Sequence, residues 1–96
     1  MKTFQEIQNK LRSNKKILFE KYGLKVLAVF GSYARNQQTE KSDVDILVEF
    51  EKPVGIEFID LAQDLEKILN EKVDLVSKGG LKQKYFKSIS NELSYV

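Results

Sequence analysis

Three aspartates and one glycine–serine pair have types and spacings that can do chemistry. Asp43 and Asp45 stand two apart at the head of an apolar run, Asp43 to Phe50 (DVDILVEF). Side chains alternate faces along a strand, so the two carboxylates point the same way, about 6.6 Å apart. Unpaired carboxylates on one face repel each other, and a cation or solvent must screen them. Asp74 lies inside another short apolar run, Lys72 to Val76 (KVDLV), and shares that face if the two strands are neighbours. Gly31-Ser32 closes a third run, Lys25 to Phe30 (KVLAVF). Glycine allows close backbone approach to a ligand, and the amides that open a helix carry partial positive charge. The Ser32 hydroxyl can donate to a phosphate oxygen. An anion cradle beside three carboxylates suits hard, oxygen-preferring cations such as Mg²⁺. Two such ions can activate an attacking oxygen and stabilise a leaving phosphate in an in-line displacement.

Each residue also has a plainer reading. Gly-Ser after a strand is a common turn, and Ser42-Asp43 favours turns by itself. Asp74 as a strand-edge aspartate facing water needs no further role. Asp45 is harder to dismiss, because aspartate is depleted inside strands and needs a reason.

The elements that must position these residues follow from periodicity. Thr3 and Glu6 have capping-box spacing, and Phe4, Ile7, Leu11 and Leu18 follow at helical period. The pattern predicts one amphipathic helix over about 3–22, ended by Gly23. Strands are predicted over 25–30, 43–50 and 72–76, with a short helix from Ser32 to about Asn36 and a polar loop over 36–42. Asn36 tolerates the left-handed conformation that ends such a helix. Phe58, Leu61, Ala62, Leu65, Ile68 and Leu69 mark a helix over about 55–70, after Pro53 and Gly55. Leu81, Tyr85, Ile89 and Leu93 mark a last helix. The predicted architecture is α/β, one small mixed three-stranded sheet covered by helices in the order α-β-α-β-α-β-α.

Composition narrows the chemistry further. The 96 residues contain no cysteine and no histidine, which excludes Cys/His zinc sites, Ser-His-Asp triads and histidine bases. The length is that of one small domain, over 1–96. A formal charge of +2 is too weak to argue for direct nucleic-acid binding. Polar residues interrupt the N-terminal sequence, and no apolar run approaches the roughly 20 residues of a membrane span. No membrane association is expected, and a cytoplasmic location is. Lys72, Lys78, Lys82, Lys84 and Lys87 make the C-terminal third basic, which reads as a solvated face. Tyr85 and Phe86 read as core or interface. Tyr33, exposed by the same turn as Ser32, could flank a nucleotide.

Gly31-Ser32, ten residues, then Asp43-Val44-Asp45 fits the pattern G-S-x10-D-x-D. At these residues the chain resembles the DNA polymerase β-like nucleotidyltransferase superfamily. The fuller string Phe30-Gly31-Ser32-Tyr33-Ala34-Arg35, with Ser42-Asp43-Val44-Asp45, resembles its minimal nucleotidyltransferase (MNT) branch, over nearly the whole chain. The resemblance implies that Gly31 and Ser32 hold a nucleoside triphosphate. It implies that Asp43 and Asp45 ligate Mg²⁺ ions, two in number, and that Asp74 is the third carboxylate. Arg35 either touches phosphate or anchors the loop through backbone carbonyls or Asp43, and Ser42 braces the turn before Asp43. One departure is visible: the branch usually has glycine where this sequence has Asn36. Asparagine is the mildest replacement at a left-handed position, so activity is expected to survive it.

The same resemblance implies a setting. MNT proteins are antitoxins of HEPN-type helical ribonuclease toxins, acting by transfer of AMP from ATP to a toxin hydroxyl or by binding alone. The expectation is an adenylyltransferase in a hetero-oligomer with such a toxin. A non-catalytic binding antitoxin is the alternative, and a small-molecule nucleotidyltransferase subunit is a weaker one, since no acceptor-binding segment is evident. The intact aspartate trio favours the enzyme, because a pure binder has no need to hold repelling carboxylates together.

Overall fold

The structure, a computed structural model, describes residues 2–96; Met1, the first residue of the expected 1–96 domain, lies outside the described residues. Thr3 opens the first helix with the expected capping box. Its Oγ1 accepts from the Glu6 amide at 3.1 Å, and Glu6 Oε1 accepts from the Thr3 amide at 3.0 Å. Such a cap contributes about 1 kcal/mol. The single helix expected over 3–22 is in fact two, α1 (Phe4–Ser13) and α2 (Lys15–Tyr22). Two polar side chains take backbone carbonyls at the junction. Ser13 Oγ donates to the Asn9 carbonyl at 2.9 Å, and Asn14 Nδ2 donates to that of Lys10 at 2.8 Å. Side chains that bond the preceding turn in this way bend or interrupt helices. Gly23, left-handed at φ 62°, ends α2.

Among the described residues four strands follow where three were expected: β1 (Leu24–Phe30), β2 (Val44–Phe50), β3 (Val73–Ser77) and β4 (Ser94–Tyr95). The sheet order is β3-β2-β1-β4, with β1 antiparallel to β2 and β4, and β2 parallel to β3. A single turn, α3 (Gly31–Ala34), connects β1 to the loop before β2, and α4 (Glu57–Leu69) makes the crossover to β3. Asn70 at φ 52° ends α4 in the left-handed conformation. The last helix, α5 (Gln83–Ile89), is shorter than the spacing Leu81 to Leu93 suggests. Ser88 Oγ takes the Tyr85 carbonyl at 2.7 Å and Ser90 Oγ that of Lys87 at 2.9 Å, so the helix tightens into a 3₁₀ turn at Ser90–Glu92. Leu81 and Leu93 pack from the segments flanking it, while Tyr85 is 48% exposed.

Strand alternation divides the sheet into two faces. Val44, Ile46 and Val48 of β2 join Leu27 and Val29 of β1 in the main core, against Ile7, Leu11, Leu18, Leu61, Leu65 and Leu69 of the helices. The opposite face carries a smaller cluster of Phe30, Leu47 and Ile89, with Val76, Phe86, Leu81 and Leu93 against it. Asp45 shares this second face with Leu47, two residues on. Among the described residues, no helix is long and apolar enough to cross a membrane.

Candidate active site

The register of the sheet assembles the site. Phe30, the last residue of β1, pairs with Asp45 of β2, and Asp45 pairs with Asp74 of β3. Three adjacent strands therefore place the end of β1, Asp45 and Asp74 at one level on one face. Asp43 precedes β2 by one residue and is exposed, as is Asp74, while Asp45 is partly buried. The expected strand neighbourhood of Asp74 is present, and the register pairs it with Asp45.

The backbone turns directly after Phe30, at Gly31, which has φ 75°. A Cβ added there would come within 2.9 Å of Asp45 Cγ and closer still to its carboxylate oxygen. Glycine is required on two counts, the left-handed backbone and the carboxylate packed against it. The two halves of the motif thus touch across β1 and β2. Turn α3 is closed by the Arg35 amide bonding the Gly31 carbonyl at 3.1 Å and the Gln37 amide bonding that of Ser32 at 2.8 Å. Asn36 at φ 58° lets the chain leave, as the sequence reading expected of it. Ser42 braces the next turn: its Oγ accepts from the Thr39 amide at 2.9 Å, and its own amide bonds the Thr39 carbonyl at 3.0 Å.

Electrostatics mark Asp45 as the strained member. Burial pushes its carboxyl up to about 6, the Asp74 and Asp43 charges add to the rise, and Arg35 opposes it. The donors are all oxygen, the set that hard divalent cations prefer. Among the described residues, no three acidic, His or Cys side chains close on one point tightly enough to hold an ion alone. Mg²⁺ bound by such donors would keep several waters and share the oxygens of a bound phosphate.

Two expectations need correction. Tyr33 does not flank a nucleotide; it is 1% exposed and lies in the main core. Successive residues of a helical turn point about 100° apart, so the turn that leaves Ser32 partly exposed drives Tyr33 inward. Among the described residues, the Arg35 side chain bonds neither a backbone carbonyl nor Asp43. Its Nη1 donates to Glu92 Oε2 at 2.8 Å, and its Nε to Gln37 Oε1 at 3.2 Å. The Gly31 amide donates to Glu92 Oε1 at 3.2 Å. Glu92 escaped the sequence reading because no local pattern points to a contact across so long a separation. The lysines of the C-terminal third, Lys72, Lys78, Lys82, Lys84 and Lys87, are exposed, as expected.

A nucleotidyltransferase domain family matches residues 11–96, and the chain belongs to it. Of its relatives, a Methanocaldococcus jannaschii protein provisionally named a protein adenylyltransferase is 57% identical over 98 residues, covering all of both chains. A solved structure provisionally identified as a minimal nucleotidyltransferase superposes with a TM-score of 0.86 at 27% identity, covering 99% of this chain and 97% of that one. A chain from a toxin–antitoxin crystal structure with AMP-PNP gives a TM-score of 0.73 at 27% identity, covering 91% and 69%. This chain is a nucleotidyltransferase with the minimal nucleotidyltransferase fold.

Proposed function

We propose that the chain, acting as a single domain over 1–96, transfers AMP from ATP to a hydroxyl of a partner protein. The partner in this reading is a HEPN-type helical ribonuclease toxin, held in a cytoplasmic hetero-oligomer with this chain as its antitoxin. The observation that carries the reading is the level of Phe30, Asp45 and Asp74 across three strands, with Gly31 packed on the Asp45 carboxylate. The adenylyltransferase name of the archaeal relative and the toxin–antitoxin setting of the AMP-PNP complex support the choice of nucleotide and partner.

Gly31 and Ser32 would hold the triphosphate, with Arg35 supplying positive charge at the end of the same turn and Ser42 fixing the loop that delivers Asp43. Asp43, Asp45 and Asp74 would hold Mg²⁺, which when bound neutralises the triphosphate and acidifies the acceptor hydroxyl. Asp45, against the phosphate turn, orients the nucleotide side of the site. Asp74 is exposed on the edge strand β3, where an acceptor arrives from solvent. The acceptor oxygen bonds the α-phosphorus, the bond to the bridging oxygen breaks, and pyrophosphate leaves while the hydroxyl proton passes to water.

The test mixes the purified chain with ATP, Mg²⁺ and the helical protein that co-purifies from a native extract. Intact-mass measurement should show that protein heavier by one AMP, and EDTA or Asp43→Asn with Asp45→Asn should abolish the increment. Stable association without any increment would replace the enzyme by a binding antitoxin. Modification of free small molecules alone would replace it by a small-molecule transferase.

A further inference from the structure

The Glu92 carboxylate sits where the nucleotide reading puts phosphate. One oxygen accepts from the Gly31 amide at 3.2 Å, and the other pairs with Arg35 Nη1 at 2.8 Å. A backbone amide and a guanidinium are the donors that a phosphate oxyanion recruits. We propose that Glu92 sets the nucleotide affinity of this site: in the free protein its carboxylate occupies the Gly31 amide and the Arg35 guanidinium, and an incoming triphosphate displaces it. The inference rests on the proposed role of Gly31, Ser32 and Arg35 in holding the triphosphate.

Three features make displacement feasible. Gly31 opens α3 and Arg35 caps its end, so one group arriving at that turn can replace both contacts. The Glu92 and Arg35 side chains are 21% and 47% exposed, so neither must cross the core to move. The backbone on either side is pinned independently of Glu92. Gln8 Nε2 donates to Ser94 Oγ at 3.0 Å, the Val96 amide bonds the Leu27 carbonyl at 2.9 Å, and Ile89 and Leu93 pack on the second core. The side chain can therefore swing away while β4 stays in the sheet. Glu92 is negative, as is a triphosphate, so leaving it in place would oppose binding. When the contact re-forms it competes with departing pyrophosphate for the same donors.

The experiment titrates the wild-type chain and Glu92→Gln with ATP and, separately, with inorganic tripolyphosphate, both with Mg²⁺. Glu92→Gln keeps the shape and an acceptor for the Gly31 amide but loses the charge facing Arg35. It should bind both ligands about three- to tenfold tighter than wild type. Adenosine, which has no phosphate, should bind both proteins equally. Glu92→Asp, which keeps the charge on a shorter arm, should tighten binding less. Unchanged or weaker ATP and tripolyphosphate binding by Glu92→Gln, with wild-type circular dichroism, overturns the proposal; if that variant misfolds, Glu92→Asp decides by the same criterion. Tighter tripolyphosphate binding without AMP transfer by any variant leaves Glu92 standing and removes the proposed function. Normal transfer with no gain in affinity does the reverse.

Discussion

Replacing Asp45 by asparagine removes the charge that the fold tolerates least while keeping the side-chain shape beside Gly31. Burial, then Asp74 and Asp43, raise the Asp45 carboxyl from an ordinary 3.8 to about 6. A folded-state value above the unfolded one means that the fold favours the protonated carboxyl. The stability it contributes is complete below about pH 3.8 and is lost as pH rises through about 6. At pH 7.5 the full shift corresponds to about 3 kcal/mol, and screening by water at this open face reduces it to roughly 1–2 kcal/mol. Asparagine has no charge to desolvate, and its amide can donate to Asp74. Without divalent cations at pH 7.5, Asp45→Asn should therefore melt above wild type by roughly 5–15 °C. Scanning calorimetry between pH 4 and 8 should show the gap closing toward the acid end. Mg²⁺ with a nucleotide should raise the wild-type midpoint more than the variant's, and the variant should transfer no AMP. A variant that melts below wild type at pH 7.5 without metal, or a gap independent of pH, would show that Asp45 is held by contacts the repulsion argument omits.

Two other perturbations follow from the same geometry. Gly31→Ala places a methyl group against the Asp45 carboxylate at a left-handed backbone position. It should cost about 1–3 kcal/mol in a denaturant melt while reducing AMP transfer at least about a hundredfold, because the carboxylate itself is pushed aside; equal, small losses in both would mean that the carboxylate has room to move. Lys82→Glu with Lys84→Glu reverses two exposed charges on the segment that follows β3 in the chain and should slow partner association, measured by surface plasmon resonance, while ATP affinity holds. Unchanged association would place the partner elsewhere.

The parts of the fold that sequence reveals are those with local periodicity. Strands β1, β2 and β3 stood out as apolar runs, and α4 as a stripe at helical spacing. Strand β4 could not be found this way: two residues, Ser94 and Tyr95, form no pattern, and the strand exists because β1 offers a free edge. The break at Asn14 and the early end of α5 come from serine and asparagine side chains competing for carbonyls, which apolar spacing does not register. The exposure of Ser32 does not extend to Tyr33, because the helical turn rotates the next side chain into the core. Glu92 reaches the site only through tertiary packing.

The motif itself was legible for a structural reason. Its glycine and its second aspartate are neighbours across an antiparallel pair, with Phe30 opposite Asp45 and the Gly31 turn closing over the carboxylate. The ten residues between Ser32 and Asp43 carry the chain out through α3, past left-handed Asn36 and the Thr39–Ser42 turn, and back to the start of β2. What that spacing preserves is register. A one-residue slip of β2 against β1 would point Asp45 into the helices and present Ile46 to the phosphate turn, exchanging a charge for a core methyl on both faces at once. Chemistry and folding therefore constrain the same residues here: the pairing that buries Val44, Ile46 and Val48 against the helices is the pairing that sets Asp45 beside Gly31 and Asp74.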